Sequence, residues 1–153
     1  MKQKKYTKGI TKLLVTLLFV TTLAGCGGGT ESGSIVGDEE VLDVFEDRSM
    51  EIDIQSSEYE TRINAVDDRM TIHYWSNEED DYYIQMSLES SLDMASQMEG
   101  EVTEHDGITE IIIDWSVVGQ EFYSVHLYGD HVRVHVRLYD LDELDEVRNL
   151  IIR

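Results

Sequence analysis

From Met50 onward, apolar side chains recur at every second position. Met50, Ile52 and Ile54 alternate with polar residues, Ile63 and Ala65 follow, and Met70, Ile72 and Tyr74 continue the period of two. Such alternation marks a strand with one buried face. Ile84, Met86 and Leu88 repeat it, so residues 82–88 are expected to be a further strand, joined to the last by the loop 76–81 in a hairpin with aromatics at its mouth. The period then changes. Leu88, Leu92, Ala95 and Met98 share one face of a helix over 90–99, Ser90 and Asp93 stand at capping-box spacing, and Gly100 is placed to end it. After a turn at His105-Asp106-Gly107, residues 108–118 are apolar on both faces, with Ile111, Ile113 and Trp115 on one and Ile108 and Ile112 on the other. This predicts a central strand covered by helices.

Two more strands, 121–128 and 131–139, flank Gly129-Asp130, which suits a two-residue type II′ turn. That turn sets Leu127 opposite Val132, Val125 opposite Val134 and Tyr123 opposite Val136, so the apolar side chains fall on one face. Asp140 and Glu143 open a closing helix whose stripe is Leu141, Leu144, Val147, Leu150 and Ile151. Upstream, Val41, Leu42, Val44 and Phe45 fit a short helix over 38–47 that faces the domain. The class is therefore α+β: an antiparallel sheet of six or seven strands with one inserted helix and a C-terminal helix.

The first 25 residues have a different character. Five lysines (Lys2, Lys4, Lys5, Lys8, Lys12) precede an apolar run over 13–23, and small residues follow, the layout of a secretory signal. The run falls well short of the roughly 20 residues a spanning helix needs. Its end, Leu23-Ala24-Gly25-Cys26, resembles the lipobox of bacterial lipoproteins. The resemblance implies cleavage before Cys26, diacylglycerol and palmitate on that residue, and a protein held on the extracytoplasmic face of the cell membrane. Cys26 is the single cysteine, so no disulfide forms within the chain. Residues 27–37, mostly Gly, Ser and Thr, read as a flexible tether with a reach of ~20 Å. The expected organisation is a signal at 1–25, a lipidated tether with a possible short helix at 26–48, and one domain at 49–153.

Charge sharpens this picture. All five lysines precede the expected cleavage point and all 32 acids follow it, so seven arginines against 32 acids leave the mature chain at −25. Such a field repels nucleic acid and anionic lipid headgroups and opposes compaction. Arginine keeps its charge near pH 10 where lysine loses it, so an arginine-only body fits an alkaline or saline exterior. The strands, aromatics, hairpin and capped helix over 70–152 are similar to extracytoplasmic domains of small bacterial lipoproteins, some of which accompany anti-sigma factors.

Candidate chemistry gathers on the last hairpin. Its register puts His126, His131, Arg133, His135 and Arg137 on the face opposite the valines, with His126 across from Arg133. This stripe suits ion pairing with acids of a neighbouring element, or a binding surface for an anionic group or a partner. Three imidazoles with Asp130 also form a metal set, but the permanent cation Arg133 at its centre counts against a metal. The acids of Asn77-Glu78-Glu79-Asp80-Asp81 lack the alternating donors and central glycine of a calcium loop. By alternation Tyr74 points inward and Trp75 outward, where Trp75 covers a second layer of core or joins the contact surface. His73 and His105 stand alone and read as structural. No nucleophile elbow, phosphate loop or cofactor motif occurs. The expected function is a lipid-anchored, non-catalytic domain that binds an envelope protein or small ligand. A regulatory or sensor module acting on a membrane partner is the alternative, and a hydrolase ranks below both.

Overall fold

The computed structural model describes residues 34–153. The expected signal, Cys26 and the tether as far as residue 33 lie outside the described residues. Residues 34–37, assigned to the tether by composition, are in fact bound to the body. Ser34 and Arg153 exchange backbone hydrogen bonds of 2.8 and 2.9 Å, Ile35 bridges Ile152, and Val36 is buried. The helix expected next is present as α1 (Asp38–Asp47), with Val41 and Phe45 fully buried and Asp38, Glu39 and Glu40 in its first turn, where the helix dipole favours acids. The folded body thus starts before residue 49, because α1 supplies core.

Three strands then pair in succession: β1 (Glu51–Ser56), β2 (Glu60–Val66) and β3 (Met70–Asn77). Helix α2 (Tyr82–Met98) carries the chain across one face to the far edge, where β4 (Glu101–His105), β5 (Ile108–Asp114), β6 (Tyr123–Tyr128) and β7 (Val132–Leu138) return strand by strand. All pairs are antiparallel, and the sheet order is β1-β2-β3-β7-β6-β5-β4. A 3-10 turn (Leu141–Glu143) leads into α3 (Leu144–Ile151). Helices α1 and α3 cover one face. Val41, Phe45, Leu144, Val147 and Ile151 close there over Ile63, Ile72, Tyr74, Val125, Leu127, Val134 and Val136. On the other face, Ile84 and Ala95 of α2 pack on Ile111, Ile113 and Tyr128. The α+β class holds, with seven strands and three α-helices among the described residues. Among the described residues no helix is long and apolar enough to cross a membrane.

Several expectations are corrected. Residues 82–88 are the first two turns of α2, not a strand. Met86 is 48% exposed while Ile84, Ser91 and Ala95 are buried, so the buried face runs at helical spacing and the alternation of Met86 was coincidental. Two serines on that face, Ser87 and Ser91, hid the helical period, and Leu92 points outward instead. Ser90 is interior to the helix and caps nothing. Strand β4 escaped notice because all five of its residues are exposed, as befits an acid-bearing edge. Strand β5 lies next to that edge, not at the centre, and gives way at Trp115 to a 3-10 turn. Its apolar residues still face both layers as expected.

The β6–β7 turn is centred one residue later than glycine chemistry suggested. Gly129 N–H donates to Val132 O at 2.9 Å, leaving Asp130 and His131 as the central pair, and His131 takes the left-handed backbone at φ 57°. Partners therefore shift by two residues: Val125 lies opposite Val136, Leu127 opposite Val134 and His126 opposite His135. An even shift leaves every side chain on its own face.

Gly100 holds the end of α2 against β5. A Cβ there would sit 2.8 Å from Ile112 O and 3.1 Å from the Ala95 Cα and Cβ. Gly100→Ala is expected to lower stability by about 1–3 kcal/mol through this overpacking. Urea unfolding checks it, and an unchanged midpoint would show that α2 and β5 do not approach so closely.

Candidate functional site

Antiparallel pairing of β2, β3, β7 and β6 lines side chains up in rows across the face that α2 covers only in part. One row runs Arg62, Trp75, Arg133, Tyr128, the next Asn64, His73, His135, His126, and a third Thr71, Arg137, Ser124. His73 joins the site through the β3–β7 pairing. That non-local contact leaves no local signal, so sequence reading set His73 aside as structural. His131, by contrast, leaves the group, because its left-handed backbone breaks the alternation and turns the ring toward Asp81, 2.8 Å away.

The three imidazoles stack across neighbouring strands. His135 lies 4.4 Å from His126 and 5.8 Å from His73 between ring centroids, with interplanar angles of 9° and 28°. Stacked rings direct their lone pairs side by side, so this row does not converge on a metal. Asn64 Oδ1 lies 2.6 Å from His73 Nδ1 and fixes the open end of the row. The closed end runs under α2, where Ser124 Oγ is 3.3 Å from His126 Nε2 and Ser91 Oγ is 3.4 Å from His126 Nδ1. Burial and the Arg133 charge push His126 down to about 4. Burial, then its two imidazole neighbours and Arg133 and Arg137, push His135 down to about 3. His73 is lowered by burial and by the same two arginines. At neutral pH the row is therefore uncharged, and the positive charge of this face is guanidinium.

Trp75 organises those guanidinium groups. Its Nε1 donates to Glu60 Oε1 at 3.0 Å, its ring packs against the α2 core, and Arg62 and Arg133 stand 5.2 and 5.9 Å from its centroid. Trp75 is thus second-layer core that stays partly exposed between two arginines. Arg137 lies 4.5 Å over the Phe122 ring, and Arg133 donates to Ser87 Oγ at 2.9 Å. A cavity of about 260 Å³ opens here, lined by Arg62, Asn64, His73, Tyr74, Trp75 and Arg133.

The expected pairing of the stripe with acids of a neighbouring element is met at His131, which contacts Asp81, and not at the two arginines. Arg48, Arg62, Arg69, Arg148 and Arg153 each bond a carboxylate. Arg133 and Arg137 bond none among the described residues. A larger cavity of about 490 Å³ between β4 and the end of α3 has arginines too, but Arg148 is bound to Glu110 and Arg153 to Glu40. Among the described residues, arginine without a carboxylate partner is confined to the first face.

Holding His126 and His135 neutral links stability to pH. In the unfolded chain each titrates near 6.5, so the folded state binds fewer protons below that value. Their contribution is complete above about pH 6.5 and is lost as pH falls toward 4, by about 1.4 kcal/mol per pH unit for each ring. His126→Asn is expected to remove one share of this slope in urea unfolding at pH 7, 6 and 5. Relief of acid repulsion affects parent and variant alike, so equal slopes would contradict the neutral assignment. Comparisons with protein-family models, with curated proteins and with solved structures find no match to this chain.

Proposed function

We propose that this chain is a lipid-anchored, extracytoplasmic, non-catalytic domain of a bacterial envelope that takes an anionic group of a small ligand or envelope partner on its Arg133–Arg137 face. The observation that carries the reading is the freedom of those two guanidinium groups in a chain with 32 acids. Carboxylates are abundant enough to pair every arginine, and five of the seven are paired. Two left on one face, beside uncharged imidazoles and an aromatic platform, give charge-assisted donors for an anion with no carboxylate competing for them among the described residues, Arg133 spending one donor on the neutral Ser87 Oγ. Asn64 and His73 add neutral polar groups at the rim of the same cavity.

Membrane attachment rests on Leu23-Ala24-Gly25-Cys26, where two acyl chains would supply the double anchor that stable attachment needs. The non-catalytic reading draws support from the serine–histidine approaches on this face, in which His126 meets Ser91 and Ser124 and all three side chains are buried. Ser91 and His126 are both buried under α2, out of reach of a substrate.

Two measurements test this. In cells fed labelled palmitate, the parent chain is expected in the membrane fraction carrying label, and Cys26→Ala is expected to carry none; label on the variant would refute the anchor. On the purified full-length chain, the Trp75 indole and His73 imidazole NMR signals are expected to shift on titration with phosphate, citrate or glucuronate. Arg137→Gln should weaken that response at least tenfold with little change in thermal midpoint, since Arg137 is exposed. A response equally strong in Arg133→Gln and Arg137→Gln would rule out this face.

A further inference from the structure

The β6–β7 turn meets the start of α2, bringing together residues that are distant in sequence. Asp81, just ahead of α2, and Asp130 and His131, at the centre of the turn, each offer one ligand atom, and the three atoms lie within 4.8 Å of one another. Asp81 Oδ1 is 2.8 Å from His131 Nδ1, and Asp130 Oδ1 is 3.6 Å from His131 Nε2. His131 is held in a left-handed backbone at φ 57°, which a side chain beyond glycine seldom adopts, and its carbonyl is pinned by Asn77 N–H at 2.9 Å. Its Nδ1 is shielded from solvent and makes no aligned hydrogen bond, close as Asp81 is. Strained backbone around a shielded, unsatisfied nitrogen is a feature that functional sites retain.

Electrostatics point the same way. Asp81 and Asp130 approach each other beside Glu78, Glu79 and Asp80, and no arginine bonds either carboxylate among the described residues. Like charges gathered without a fixed cation repel, and a bound divalent cation reverses the sign of that term. One imidazole with two carboxylates is a mixed nitrogen and oxygen set, which suits zinc, cobalt or manganese; calcium and magnesium take oxygen throughout. Bonds of about 2.1 Å would place the ligand atoms about 3.4 Å apart; Asp81 faces Nδ1 and Asp130 faces Nε2, so a shared metal requires the exposed Asp130 side chain to rotate toward the nitrogen that binds.

We propose that Asp81, Asp130 and His131 form a surface site for a divalent transition metal of the zinc class, which ties the β6–β7 turn to the start of α2. Neither segment carries the site alone. The acidic loop lacks a nitrogen donor, and the histidine turn lacks its second carboxylate until α2 is packed. The site is separate from the Arg133–Arg137 face, since His131 turns away from that surface.

Calorimetric titration of the chelator-stripped, full-length chain with zinc chloride tests this, with the visible absorption of bound cobalt as a second readout. One saturable site per chain is expected. His131→Ala and Asp81→Asn should each weaken binding at least tenfold, as loss of a ligand does, while Glu79→Gln should leave it unchanged; circular dichroism checks that each variant is folded. Absence of saturable heat would overturn the proposal. So would binding as tight in folded His131→Ala as in the parent, or magnesium binding as tightly as zinc, because both describe diffuse attraction to an acidic surface.

Discussion

Between Met70 paired with Leu138 and Ser76 paired with Val132, one antiparallel ladder joins strands at least 56 residues apart. Each half of the sheet is a meander of sequential neighbours, β1 to β3 and β4 to β7, and β3 against β7 is the seam. The larger core straddles it, with Ile63, Ala65, Ile72 and Tyr74 on one side and Val125, Leu127, Val134 and Val136 on the other. Neither meander can bury its apolar face without the other half and the helices over it. The same seam creates the candidate site, since it sets His73 beside His135 and Trp75 beside Arg133. Core and site therefore depend on one register, and a slip of one residue would expose the valines and bury the arginines together.

The two faces are sealed by different means. Over α1 and α3 the contact is apolar, with ion pairs at the rim: Arg48 to Asp67 and Glu146, Arg69 to Glu143 and Glu146, Arg148 to Glu110. Under α2 a polar chain runs through the contact. Arg133 bonds Ser87, the Tyr128 hydroxyl lies 3.0 Å from Ser87 Oγ and 2.8 Å from Ser91 Oγ, and Trp115 donates to Ser124 at 2.8 Å. Buried polar groups are tolerable only when satisfied, so this chain fixes how α2 lies and holds Arg133 in place. His126 within it cannot take up a proton without leaving a charge under the helix, which is why its neutrality is a structural condition of that packing.

Legibility in the sequence followed the reach of each constraint. Strands β2, β3, β6 and β7, helix α1 and the stripe of α3 were readable because one buried face repeats over a few adjacent residues, whereas β1 alternates without burying that face, its Ile54 being 48% exposed. Helix α2 was half misread because Ser87 and Ser91 stand where apolar residues usually mark the period, and their partner Tyr128 lies some 40 positions on. Strand β4 has no buried face and so no pattern. In the site, Trp75, His126, Arg133, His135 and Arg137 were readable from alternation alone, and they share the face as expected. His131 left it through a backbone angle that glycine chemistry had assigned to Gly129, and His73 entered through pairing that no local rule encodes.

Positive charge is scarce in this molecule, and its placement carries the functional argument. Of seven arginines, Arg48, Arg69, Arg148 and Arg153 clamp the α1 and α3 side, and Arg62 is bound to Glu60. Exposed pairs of this kind contribute little singly, but in a strongly acidic chain each also relieves repulsion between neighbouring carboxylates. Stability alone would therefore favour pairing Arg133 and Arg137 as well. Instead their side chains lie against Trp75 and Phe122, aromatic surfaces that orient a guanidinium without neutralising it. The acids that surround the rest of the body repel anions, so the anion proposed as ligand would meet oriented donors, unpaired with any carboxylate among the described residues, on this face.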